Sequence, residues 1–137
     1  MTSDEFWEHE FGNMIEAKDF AGRKVRKGDY IGNLSQGSKL PSTAWNCEDI
    51  EPLNPNGDEK HKQSLNNIAN WQVANVETNR IKANKTSFEI DGKLYQVQKN
   101  TPKNTRGKQL APYPNKENPY KGKKYCIIIL DKLGSKK

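Results

Sequence analysis

The chain has 137 residues and a formal net charge of +6, and Leu, Ile, Val and Phe together supply only 25 of its residues. That is enough for one small, loop-rich α+β domain and too little for a large core. No apolar run is long enough to span a bilayer, and the acidic stretch Met1–Glu10 lacks the basic and apolar regions of a secretory leader. Two distant cysteines, Cys47 and Cys126, exclude Cys-x-x-Cys zinc clusters and a disulfide framework. A reducing, cytoplasmic setting with both thiols buried is therefore expected.

Thr2-Ser3-Asp4 offers capping oxygens and a first-turn acid, so a helix is expected from there, burying Phe6, Trp7 and Phe11 and ending at Gly12-Asn13. Residues 20–29 read as a basic, turn-bounded segment with Arg23, Lys24, Arg26 and Lys27 exposed around Val25. A glycine-punctuated loop follows. Trp45 to Leu53 reads as a short strand closing on Pro52, then comes the turn-rich stretch 54–60, and Asn70 to Val76 reads as a second strand. Glu77 to Lys85 suits a short helix capped by Thr78.

The clearest local signal is Thr86 to Val97, where Asp91-Gly92 separates two β-prone runs. A type I′ hairpin there sets Phe88 opposite Tyr95 and Thr86 opposite Val97. Asn100 to Pro119 reads as a proline-containing linker or ordered loop, and Tyr125 to Leu130 as a buried strand returning to the main sheet. Charge divides along the chain: residues 1–100 hold 13 Lys and Arg against 15 Asp and Glu, residues 101–137 hold 10 against 2. The whole basic excess thus lies in the last quarter, which suits phosphate contacts or a solvated tail.

Strand, glycine-containing loop, strand and helix, in that order, carry polar residues at particular places. Trp45-Asn46-Cys47-Glu48-Asp49-Ile50-Glu51-Pro52, then Asn70-Trp71, then Thr78-Asn79-Arg80-Ile81-Lys82 resemble the HNH endonucleases, the His-Me finger family with a ββα-metal fold. Upstream, Phe6-Trp7, Phe11-Gly12 and Asp19-Phe20-Ala21-Gly22-Arg23 resemble the prelude of small bacterial and phage members, and the resemblance covers roughly residues 5–99. It implies a ββα-metal domain over 1–100 and leaves 101–137 as a basic extension with one strand.

The resemblance also implies a divalent metal, Mg, Mn or Ni, held by Glu48 and Asn79, with hard oxygen ligands that suit such ions. Asp49 stands in the slot of the general-base His, where it becomes a further metal ligand or a weak base, and Asn70 orients the loop. Arg23, Lys24, Arg26, Lys27, Arg80 and Lys82 are the implied nucleic-acid contacts. His61, in the loop, and His9, on the first helix, are not at the base position, and Trp45 and Trp71 are expected in the core. Three functions follow: a metal-dependent endonuclease with an atypical or inactivated site, a catalytically dead DNA-binding module, or a protein-binding inhibitor of phage or mobile-element origin. None calls for a membrane or a small-molecule cofactor.

Overall fold

A computed structural model describes residues 1–35, 39–52, 67–111 and 119–130. The fold is α+β, with short helices set against small antiparallel sheets. Among the described residues no helix is long and apolar enough to cross a membrane.

Helix α1 (Ser3–Phe11) begins with a capping box: the Glu5 N–H donates to Thr2 Oγ1 (3.1 Å) and the Thr2 N–H to the Glu5 carboxylate (2.8 Å). It stops at Gly12, whose φ of 64° is one that glycine adopts without penalty. Phe6 and Trp7 are buried, Phe11 only partly. Strands β1 (Glu16–Lys18) and β2 (Lys24–Arg26) form a hairpin, of which β2 alone falls in the basic, turn-bounded segment read over 20–29. Its alternation is too brief to read, since each strand buries one residue, Ala17 or Val25.

Strands β3 (Trp45–Asp49) and β4 (Trp71–Asn75) pair from Trp45↔Asn75 to Asp49↔Trp71, and helix α2 (Val76–Lys82) follows β4 without a loop. Asn75, and not Thr78, caps α2: its side chain accepts from the Glu77 N–H (2.9 Å). The Asn75 amide also donates to the Lys24 and Ser42 carbonyls, fixing the helix start against β2. Thr78 instead lies fully buried beneath the helix, where it accepts from Arg23 Nη1 at 3.3 Å.

Strands β5 (Ser87–Ile90) and β6 (Lys93–Lys99) form the hairpin with Phe88 opposite Tyr95, and the Val97 N–H donates to the Thr86 carbonyl. Asp91 and Gly92 both have positive φ, 52° and 82°, as a type I′ turn requires. After a one-turn helix α3 (Pro102–Thr105) and strand β7 (Gln109–Leu110), strand β8 (Tyr125–Leu130) inserts between β6 and β7, so the sheet order is β5-β6-β8-β7. A near-continuous apolar run suits a strand paired on both sides. Of the stretch 100–119, read as a linker or ordered loop, Pro102–Thr105 and Gln109–Leu110 are regular structure.

Two cores result. Phe6, Trp7, Val25, Trp45 and Val73 join α1 to β1–β4 in an aromatic cluster. Phe20, Ile50, Phe88, Tyr95, Ile127 and Ile128 fill a second one against the four-stranded sheet. Cys126 is buried in the second core, whereas Cys47 is only partly buried beside the first.

Candidate functional site

The site lies where β3 meets α2. Antiparallel register puts Glu48 opposite Gln72, and side chains of such a pair share a face. Gln72 Nε2 donates to Glu48 Oε2 at 3.1 Å. Lys82, from the last turn of α2, closes over this face. Its Nζ lies 3.4 Å from Glu48 Oε1 and donates to the Asp49 carbonyl at 3.1 Å. It also sits over the Phe88 ring, 5.8 Å from the centroid. Neither partner meets solvent to any extent: Lys82 is 0% exposed and Glu48 5%.

Burial pushes the Glu48 carboxyl up to about 7, opposed by the Lys82 charge and the Gln72 hydrogen bond. Asp49 is also raised by burial, against the opposing pull of Lys82 and a hydrogen bond from the Trp71 side chain. Desolvation thus outweighs the pull of the Lys82 charge on Asp49. Both thiols are pushed up by burial too, Cys47 to about 12 and Cys126 to about 11, so neither is a poised nucleophile.

Glu48, Asp49 and Asn79 do converge. Together with Cys47, Pro52, Ala83 and Asn84 they line one small open cleft of about 160 Å³. Asn70 lies beside it, fully buried, and clamps the chain just past β3: its Oδ1 accepts from the Glu51 N–H (2.9 Å) and its Nδ2 donates to the Glu51 carbonyl (3.0 Å). The Ile50 N–H adds a 2.7 Å bond to the Asn70 carbonyl. His9 is remote in kind, an exposed residue of α1 next to Glu10 at 3.0 Å, and His61 lies outside the described residues. Trp45 is fully buried and Trp71 partly so, both in the aromatic cluster.

A divalent cation does not fit the described residues. Glu48, the leading candidate ligand, already has an ammonium 3.4 Å from one oxygen and an amide on the other. A dication there would meet Lys82 as a like charge at close range in a dry setting. Among the described residues no group of three or more His, Cys, Asp or Glu side chains could hold a metal ion.

The six basic residues separate by environment. Lys82 is buried and unavailable to phosphate, because its charge is spent on Glu48. Arg80 is paired with Glu77, Lys27 with Glu8 at 2.7 Å, and Arg23 bridges Thr78 and Asp91. Lys24 and Arg26 are exposed on β2. Three residues that sequence reasoning passed over also matter. Gln72 holds Glu48, and Asp19 is buried and accepts from the Ala21, Arg23 and Asn75 N–H groups. Lys123 is nearly buried and donates to Glu10 and to the Ile68 and Trp71 carbonyls.

No family's sequence profile matches the chain, and neither any curated protein nor any solved structure is significantly similar to it.

Proposed function

We propose that this chain is a nuclease-derived module of the HNH type that no longer hydrolyses phosphodiesters and retains nucleic-acid binding. The observation that carries this reading is the buried Glu48–Lys82 pair, in which an internal ammonium neutralises the carboxylate that the resemblance assigns to the metal. The order β3, β4, α2 and the shared cleft of Glu48, Asp49 and Asn79 support descent from a ββα-metal ancestor. Loss of catalysis follows from chemistry: Asp49 offers a carboxylate where the family uses an imidazole, and a matched general base is worth ~10²–10⁴-fold in rate.

Plasmid DNA incubated with the protein and Mg²⁺, Mn²⁺ or Ni²⁺ is expected to stay intact, while a mobility-shift assay on the same protein detects binding. Calorimetric titration with Mn²⁺ should give the same trace for wild type and Glu48→Ala. Robust cleavage that Asp49→Asn abolishes would overturn the reading and restore an active enzyme. Absence of both cleavage and nucleic-acid binding would favour a protein partner instead.

A further inference from the structure

Between Lys93 and Leu130 the sequence carries nine Lys and Arg and a single acid, Glu117, which lies outside the described residues. The fold gathers most of these cations at one end of the four-stranded sheet. Lys99 ends β6 and pairs with Tyr125 at the start of β8, so the turn at 120–124 and the helical turn α3 emerge side by side. Asn100 staples them. Its N–H donates to the Lys124 carbonyl (2.9 Å), and its side-chain amide donates to the Tyr120 (2.8 Å) and Lys123 (3.0 Å) carbonyls. On the other side Asn104 Nδ2 donates to the Lys99 carbonyl at 3.0 Å, tying α3 back to β6.

Lys99, Lys103, Arg106, Lys121 and Lys124 are exposed on this platform, whereas Lys108, next to the Gln109 that pairs with Ile129, lies toward the opposite end of β8. The first four make no ion pair among the described residues, in contrast to Lys27, Arg80 and Lys123, which do. Like charges on an ordered backbone repel one another, so concentrating them costs stability that only an external polyanion recovers. We infer that this Asn100-stapled basic platform is the surface on which the chain receives a nucleic-acid backbone. The inference rests on the nucleic-acid-binding reading above and locates its interface away from β2 and α2.

A phosphodiester backbone suits the platform better than an anionic membrane. Surface-lying membrane binders add apolar side chains to their cations. Among the described residues the exposed large hydrophobics, Met1, Met14, Ile15 and Leu40, all lie outside residues 93–130. Backbone amides and lysines without a rigid base-reading element point to charge recognition with little sequence preference.

The test is fluorescence anisotropy of the full chain with labelled duplex DNA, single-stranded DNA and single-stranded RNA, from ~50 to ~200 mM salt. Each phosphate contact adds ~0.9 to the slope of log K against log salt on duplex DNA. Combined Lys99→Gln, Lys103→Gln, Arg106→Gln and Lys121→Gln should lower that slope by about 3 and weaken low-salt binding by ~10-fold or more. Paired Lys24→Gln and Arg26→Gln should leave the slope nearly unchanged. Asn100→Ala, which alters no charge, should weaken binding at a temperature where circular dichroism finds the variant folded.

Wild-type binding with a slope that the four substitutions do not move would sink the platform while leaving the functional reading intact. Equal flattening by both sets would mean unlocalised charge and overturn it as well. Wild-type silence on all three nucleic acids removes the functional reading itself, and binding to phosphatidylserine vesicles in that case would assign the platform to membranes.

Discussion

Lysine is put to opposite uses in two regions of this molecule. Beneath α2, Lys82 is sealed between Glu48, the Asp49 carbonyl and the Phe88 ring; near α1, Lys123 is nearly as enclosed by Glu10 and two carbonyls. At the end of the large sheet Lys99, Lys103 and Lys121 stand in solvent. The contrast lies in what surrounds each ammonium. An enclosed one has had its water replaced by fixed oxygens, and its loss leaves those oxygens stranded. An exposed one keeps its water and contributes little to the fold, so it is free to release counterions to a polyanion. Charge counted along the chain merges these two populations; burial separates them.

The sharpest way to break the comparison is to delete the enclosed charge. Lys82→Met leaves the Glu48 carboxylate in the interior without its ammonium, and truncating one member of a buried pair costs about 3–5 kcal/mol. Urea denaturation well above pH 7, where the folded wild type has the Glu48 carboxyl ionised, should register that loss. Adding Glu48→Gln should recover a large part of it, because the stranded charge is then gone, and the two substitutions should be far from additive. A Lys82→Met protein as stable as wild type would mean that the pair is not the neutralising element of the site.

A smaller effect sharpens the same point through pH. The Glu48 carboxyl rises from an ordinary 4.5 to about 7 on folding, chiefly through burial. A carboxyl with a raised folded value binds more protons folded than unfolded, so its contribution is fully favourable below 4.5 and declines as pH climbs to 7. Relative to Glu48→Gln, wild type should therefore lose about 3 kcal/mol across that window. Asp19 and Asp49 are raised as well, but both persist in the variant, so the difference isolates Glu48. Lys82 and Gln72 face the carboxyl directly and oppose the shift. A flat difference would mean that the ammonium fully offsets burial.

Much of the scaffold was legible because its causes are local. The Thr2–Glu5 capping box, the Asp91-Gly92 turn and the apolar run at 125–130 each carry their instruction within a few residues. The candidate site was legible only as a list. That Glu48, Asp49 and Asn79 meet in one cleft follows from strand order, but that Lys82 turns inward depends on the Glu48 carboxylate and the Asp49 carbonyl, which lie far away in sequence. Lysine is so seldom fully buried that its residue type argued for the surface. The helix cap shifted from Thr78 to Asn75 for a similar reason: Lys24 and Ser42, distant in the chain, hold the Asn75 amide. The basic platform was half visible, as an excess of charge, but not the Asn100 staple that gives it shape.

The smallest expected effect concerns the stability of that platform. Converting Lys99, Lys103, Arg106 and Lys121 to Gln removes four exposed charges that have no ion-pair partner among the described residues. The hydrogen bond that Lys99 contributes to the staple uses its backbone carbonyl, which the substitution leaves in place. Surface changes of this kind usually stay within ~0.5 kcal/mol each, and relief of like-charge repulsion biases the sum toward stabilisation. Thermal melts at low and moderate salt should therefore coincide with wild type or lie slightly above it, with the gain fading as salt screens the repulsion. A loss comparable to that of Lys82→Met would place these side chains in the fold's own support. The two lysine populations would then differ in exposure but not in role, and the platform's charge would need no external partner to explain it.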